Sequence, residues 1–263
     1  MPQFFARHLN LIDPTPLLLK KMIFAYNSLR EFFKHLKKLG PTDLFKDWDG
    51  GKCFLLRHDV DFDIGPAYEL AKIEAEEGVR STFFILTTCR TYNVLQSNNR
   101  ERLRKIIRLG HEVGLHFDPT LYGKADLNDA VEKETEVLSF AIGEKVRSIS
   151  LHNPSIHGQY PLFDGYVNAY DPSLFSDKNY ISDSCYSFRN KDPFEFVKGI
   201  KKHMVQILLH PIHYSNQGDG YKGVIIRSLE RHMKEVHEEF LTNQTYREQI
   251  EGDLVNAFKR DSK

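Results

Sequence analysis

The sequence predicts an α/β protein, a distorted (β/α) barrel of about seven parallel strands with an extra N-terminal helix, and three observations carry that prediction. Short runs rich in β-branched and aromatic residues alternate with longer segments of helical period, the rhythm of strand, crossover helix and parallel strand. Right-handed crossovers between such strands leave two architectures open, a barrel or a doubly wound sheet. The runs end in Asp or His, residues that strands otherwise avoid, and the C-terminal ends of its strands are where a parallel barrel builds its site. The third observation selects the barrel.

In chain order, a first helix is expected from Pro16 to Lys38, with Thr15 as N-cap and Pro16 in the first turn. Its apolar stripe is Leu18, Met22, Tyr26, Leu29, Phe33 and Leu36, and Gly40-Pro41 stops it. Residues 1–50 are therefore read as a helical extension packed on a barrel of residues 51–263, the whole forming a single domain. Strands are expected at 52–61, 81–87, 112–117, 146–152 and 205–210, with helices at 66–77, 99–109 and 127–141. A last helix, from Val224 to Leu241, carries Ile226, Leu229, Met233 and Val236 or Phe240 on one face, which is expected to lie against the barrel.

The chain has 263 residues, 41% of them hydrophobic, enough for a large core. Lys plus Arg and Asp plus Glu are both 36, and no long single-sign run exists to build a field for nucleic acid or a lipid surface. Cys53, Cys89 and Cys185 are odd in number and lack C-x-x-C spacing, which suggests neither a disulfide framework nor a zinc knuckle and suits a reducing compartment. No basic segment precedes an apolar run of signal-peptide length, and PLLLKKMIFAY is broken by Lys20 and Lys21. A cytoplasmic protein without membrane insertion is expected.

Period two in Leu55 to Asp61 puts Arg57, Asp59 and Asp61 on one face. Two carboxylates there repel each other unless a divalent metal or Arg57 stands between them. In His111 to His116 the histidines are five apart, so a helix could not present both to one metal. As a strand, the same segment aims His116 and Asp118 at one place and leaves His111 structural. His152 ends its strand before Asn153-Pro154, and His210 ends another before Pro211. One Asp and two His with an open position make a metal site that activates water, and Asp59 and His210 are available to move protons.

These residues resemble the polysaccharide deacetylase (NodB-homology, carbohydrate esterase family 4) superfamily over roughly residues 50 to 215. Arg57-His58-Asp59-Val60-Asp61 is similar to its first motif, and Ser81-Thr82-Phe83-Phe84 to its second strand. Gly110 to His116 is similar to its metal-histidine motif, and Leu208-Leu209-His210-Pro211 to its last. The resemblance implies a divalent metal held by one Asp and two His, and hydrolysis of an acyl group from a sugar nitrogen. By position, Asp59 is the base, Asp61 and His116 are ligands, and His210 is the acid that protonates the leaving amine. Asp183 takes a structural or substrate-positioning place, as do Arg57, Tyr92 and Asn153.

Three departures matter. Val60 separates the aspartates that are adjacent in the family, so Asp59 and Asp61 can exchange roles. The usual second metal histidine falls on Thr120, and the arginine-proline-tyrosine motif is replaced by Ser150-Leu151-His152-Asn153-Pro154. His152 is therefore expected to supply the third ligand, with Asp118 as the alternative. The loops Tyr92–Asn99 and Tyr160–Asp164 offer aromatic and polar side chains to a sugar ring. The function expected is removal of an acetyl or formyl group from an acylated sugar in bacterial surface polysaccharide or lipopolysaccharide biosynthesis, with zinc, or else cobalt, nickel or manganese. The rivals are hydrolysis of another C–N bond on the same barrel, and a carbohydrate-binding barrel that has lost its metal.

Overall fold

Period two becomes two layers of burial in the computed structural model, which describes residues 24–249. The strands are β1 (Thr42–Asp43), β2 (Phe54–Val60), β3 (Thr82–Ile85), β4 (Glu112–Phe117), β5 (Ser148–Leu151), β6 (Val167–Asn168), β7 (Tyr180–Ser182) and β8 (Val205–Leu209). Seven of them pair, all parallel, in the order β6-β5-β4-β3-β2-β8-β7, and β1 adds to β2 beside that path. Among the described residues β6 and β7 do not pair with each other, so the sheet is a half-barrel of seven parallel strands, the distorted barrel that the sequence predicts.

The helices are α1 (Tyr26–Leu39), α2 (Ile64–Glu77), α3 (Ser97–Arg108), α4 (Leu127–Ile142), the single turns α5 (Pro154–His157) and α6 (Pro193–Phe196), α7 (Gly220–Phe240) and α8 (Gln244–Gln249). Outward-facing Phe83, Ile85, Val113, Leu115 and Ile149 bury against Ala67, Ala71, Leu103, Ile106, Val131 and Leu138 of α2, α3 and α4. Phe54, Leu56, Ile207 and Leu209 do the same against Leu29, Phe32, Phe33 and Leu36 of α1. The removal of this apolar area from water drives the layers together.

Facing inward, the same strands are polar. Glu112, fully buried, accepts from Thr82 Oγ1 and Ser148 Oγ at 2.7 Å each and from the Lys46 amide at 3.1 Å. Burial, offset in part by those donors, raises its carboxyl. Gly114, next inward on β4, is required by space: a Cβ there would fall 2.6 Å from Ser148 Oγ and 2.7 Å from the Phe84 ring. Phe45, Leu55, Phe84 and Met204 close the base of the barrel, leaving its C-terminal rim open.

Two elements differ from the sequence reading. The helix expected from Pro16 begins at Tyr26, because Ala25 is extended and bridges to Ser215; Thr15, Pro16, Leu18 and Met22 lie outside the described residues. On α7 the apolar stripe is turned away from the barrel, with Ile226 43%, Leu229 55%, Val236 51% and Phe240 51% exposed. Polar contacts decide which face docks. Asp63, the N-cap of α2, accepts from Ser228 Oγ at 3.1 Å, binds the Arg231 guanidinium and lies 3.5 Å from His232, while Arg102 of α3 reaches Glu235 at 3.4 Å. Asp63 is buried, so its carboxylate needs hydrogen-bond donors, and the face of α7 that docks supplies them.

Candidate metal centre

β2 carries Arg57 and Asp59 inward, and Asp61 follows at its rim. Arg57 is fully buried, and its guanidinium donates to Asp59 Oδ2 at 3.0 Å, Tyr170 Oη at 2.8 Å and Gln206 Oε1 at 3.1 Å, lying 4.6 Å over the Tyr170 ring. Ser150 Oγ reaches Asp59 Oδ1 at 3.3 Å. A cation that cannot lose its proton is thus placed behind the first carboxylate, leaving the second to face the cleft.

Asp61 Oδ1 lies 3.2 Å from His116 Nε2 and 3.4 Å from His152 Nδ1, and the two ring nitrogens are 3.2 Å apart. Asp61 Oδ1 is buried yet accepts no hydrogen bond, and His116 Nδ1 is likewise without a protein partner. Burial works to raise the Asp61 carboxyl, but the facing histidines hold it well below the usual carboxylate range. These separations match the edge of a tetrahedron with bonds of 2.0–2.1 Å, about 3.3 Å, so the donor set fits a four-coordinate metal with one position left open. Asp61, His116 and His152 are thus the residues that can hold it.

His152 Nε2 meets the Asn153 side-chain amide at 2.8 Å. The Asn153 atom that faces it is Nδ2, a donor; if Nδ1 gives its lone pair to a metal, Nε2 carries the proton and the amide must turn over to accept it through its oxygen. Asn153 holds this place in a left-handed conformation (φ 47°), which Asn tolerates better than other non-glycine residues, before Pro154 starts α5.

On the opposite flank, His210 follows β8 and is fixed by Asp183, which is fully buried just beyond β7. Asp183 accepts from His210 Nδ1 at 2.6 Å and from its backbone amide at 3.1 Å, and His213 Nδ1 lies 3.3 Å away. Burial pulls the His210 imidazole down, but the charge of Asp183 and then of Asp61 and Asp59 pushes it up to about 9. Burial raises the Asp183 carboxyl in turn, and the facing His210 and His213 hold it well below the usual range. His210 Nε2 is left toward the cleft, 3.9 Å from Asp61 Oδ2, while Asp59 Oδ2 is 3.9 Å from His116 Nε2.

Other residues singled out in the sequence sit elsewhere. Asp118 Oδ1 accepts from the Thr120 amide at 3.0 Å and from Thr120 Oγ1 at 2.6 Å, capping the turn Pro119–Tyr122; it lines the cleft but is outside the donor group. Tyr92 is buried, with its hydroxyl donating to Val60 O at 2.7 Å and accepting from the Leu86 amide at 2.9 Å, so it ties two strand ends together. His111 accepts from the Ser81 amide at 3.2 Å and meets Ala71 O at 2.9 Å, outside the barrel. Sequence reasoning missed Tyr170 and Gln206. Period two through Gln206, Leu208 and His210 carries a signal for Gln206; Tyr170 lies in an irregular segment that carries none.

The centre opens into a cleft of about 980 Å³ along the strand ends. No family model and no curated protein matches the sequence. Among solved structures, the fold is similar to the CE4 domain of a multidomain xylanase from the hindgut metagenome of Trinervitermes trinervoides, at 20% identity and TM-score 0.42, over 68% of this chain and 82% of that one. It is also similar to a CE4 family pseudoenzyme from Bacillus anthracis (19%, TM-score 0.42, 74% and 66%) and to the peptidoglycan deacetylase PdaC from Bacillus subtilis (16%, TM-score 0.42, 75% and 96%). These neighbours are family 4 carbohydrate esterases or their relatives. At such identities the likeness is one of fold, and the chemistry rests on the residues of this chain.

Proposed function

We propose that this chain is a metal-dependent hydrolase that removes an N-acyl group, acetyl or formyl, from a sugar. The observation that carries the reading is the convergence of Asp61 Oδ1, His116 Nε2 and His152 Nδ1 within 3.4 Å of one another, flanked by Asp59 on one side and His210 Nε2 on the other. A divalent metal bound there supplies a Lewis acid for the acyl carbonyl and lowers the pKa of water. Two imidazoles and one carboxylate suit zinc, and cobalt, nickel and manganese take related donor sets.

Asp59 takes the proton of the attacking water, held in place for this by Arg57 and Ser150. His210, kept protonated near neutrality by Asp183 and presenting Nε2, gives a proton to the departing nitrogen. Tyr160, half-exposed at the cleft and 5.7 Å edge-to-face from Tyr170, offers a stacking surface for the sugar. Precursors of surface polysaccharide or lipopolysaccharide inside the cell are the substrates this reading favours. The test is a panel of N-acetyl and N-formyl sugars against cyclic amides, with metal content measured in parallel. Asp59→Asn is expected to abolish turnover while metal stays bound, and hydrolysis at the parental rate would remove Asp59 from its role.

A further inference from the structure

The strand ends that surround the candidate metal centre also carry a ring of apolar side chains in water. Phe62, Leu121, Ile156, Tyr160 and Tyr221 line the cleft, and they are 45, 54, 74, 43 and 50% exposed. Phe62 lies between β2 and α2, Leu121 in the turn after β4, Ile156 in α5, Tyr160 in the segment beyond it, and Tyr221 in the first turn of α7. All of these connections leave the C-terminal edge of a parallel sheet, so they meet on one rim. Apolar side chains gathered in this way around a cleft mark an interaction surface.

Cations stand among them. Arg90, after β3, and Arg189 and Lys191, after β7, are exposed, line the same cleft and have no carboxylate partner among the described residues; exposed Asp177 and half-buried Asp118 are the acids that line the cleft outside the candidate metal centre. The segment that presents Arg189 is held under strain. Cys185, Tyr186, Arg189 and Asn190 have φ of 60°, 57°, 51° and 64°, four of the five left-handed non-glycine residues among those described. Strain of this kind persists where the surrounding structure imposes a particular backbone course.

We propose that this collar docks on a lipid bilayer that carries anionic headgroups, so that the cleft faces the membrane and the acylated sugar arrives on a lipid carrier. The carrier half of this rests on the hydrolase reading; the docking half does not. Aromatic and aliphatic side chains interleaved with unpaired Arg and Lys suit the interfacial zone, where apolar groups enter and cations meet phosphates. A second copy of this chain fits less well, since a twofold contact would set the same cations against each other and seal the cleft. The zero net charge does not oppose docking, because the collar is local and assembled from loops far apart in sequence.

Flotation of the full chain with vesicles of phosphatidylcholine, alone or mixed with phosphatidylglycerol, tests this. Binding is expected to the mixed vesicles and to fall with salt. Arg189→Gln and Lys191→Gln should each weaken it about fivefold. Leu121→Asp and Ile156→Asp should each weaken it roughly tenfold or more, with far-UV circular dichroism and metal content unchanged. Equal flotation of parent and variants, no preference for the anionic vesicles, or a dimer that Ile156→Asp dissociates would overturn the proposal. A parent that floats but hydrolyses no acylated sugar would leave docking standing and remove the hydrolase reading.

Discussion

Replacing Arg57 by Met tests the link between fold and site most directly. The substitution keeps the volume and leaves Asp59, 4% exposed, with Ser150 Oγ at 3.3 Å as its remaining donor. Removing one partner of a buried ion pair costs about 3–5 kcal/mol, a large share of the ~5–15 kcal/mol that holds a domain. Tyr170 and Gln206 also lose a donor, at roughly 1 kcal/mol each. Those two losses persist whether residue 59 is Asp or Asn, so a double-mutant cycle isolates the ion pair. Urea unfolding of the metal-free parent, Arg57→Met, Asp59→Asn and the double variant is expected to show a coupling on the order of 2–3 kcal/mol, with the double variant more stable than the sum of its parts predicts. Strict additivity, or a cost for Arg57→Met below about 1 kcal/mol, would refute the claim that Arg57 compensates the charge of Asp59.

The remaining predictions concern the metal, the acid and the surface. His152→Ala and His116→Ala should each abolish stoichiometric metal by mass spectrometry of the purified protein, and Asn153→Ala should weaken metal binding roughly 10- to 100-fold. His210 has a folded pKa above its unfolded value near 6.5, so its pairing with Asp183 stabilises fully below about 6.5 and is lost as pH rises through about 9; Asp183, held low, keeps its contribution down to acid pH. In metal-free protein, the stability gap between the parent and Asp183→Asn should therefore shrink by up to about 3 kcal/mol from pH 6 to pH 9.5, and a gap that grows would contradict the pairing. Leu229→Lys on the exposed stripe of α7 should change stability by no more than about 0.5 kcal/mol, whereas Leu29→Ala under the sheet should cost about 2–5 kcal/mol.

What could be read in the sequence was what period and strand ends encode. The five long strands fall within the expected runs because their outward residues are apolar apart from His58, which is buried against Glu74 of α2, and the inward set Arg57, Asp59 and His116 follows from alternation alone. The short strands β1, β6 and β7, of two or three residues, are set by pairing with longer neighbours and leave no local pattern. The α7 stripe misled for a related reason. Hydrophobic period shows that a helix has two faces, but the face of α7 that docks is the one that bonds buried Asp63 at the N-terminus of α2. Tyr170 was hidden because its partner Arg57 is 113 residues away in the chain.

The pairing of β4 with β5 explains why His152, and not Thr120, stands beside His116 and Asp61. Position 120 falls in the turn after β4, where its amide and hydroxyl are spent on Asp118, and its side chain stays exposed. On β5, Ser150 is the register partner of His116, so the next inward residue, two further along, is His152. Its amide donates to Phe117 O at 2.8 Å, which carries the ladder one step past the last strand residue and fixes the backbone that bears the imidazole. Adjacent strands lie about 4.8 Å apart, close enough for the rings of His116 and His152 to meet at 5.1 Å, nearly perpendicular. A ligand drawn from a hydrogen-bonded strand is held by the sheet itself, and one drawn from a turn needs the turn to be held as well. If His152 supplies the third donor, that donor therefore stands on hydrogen-bonded strand backbone, with the Asn153 side-chain amide beside its Nε2.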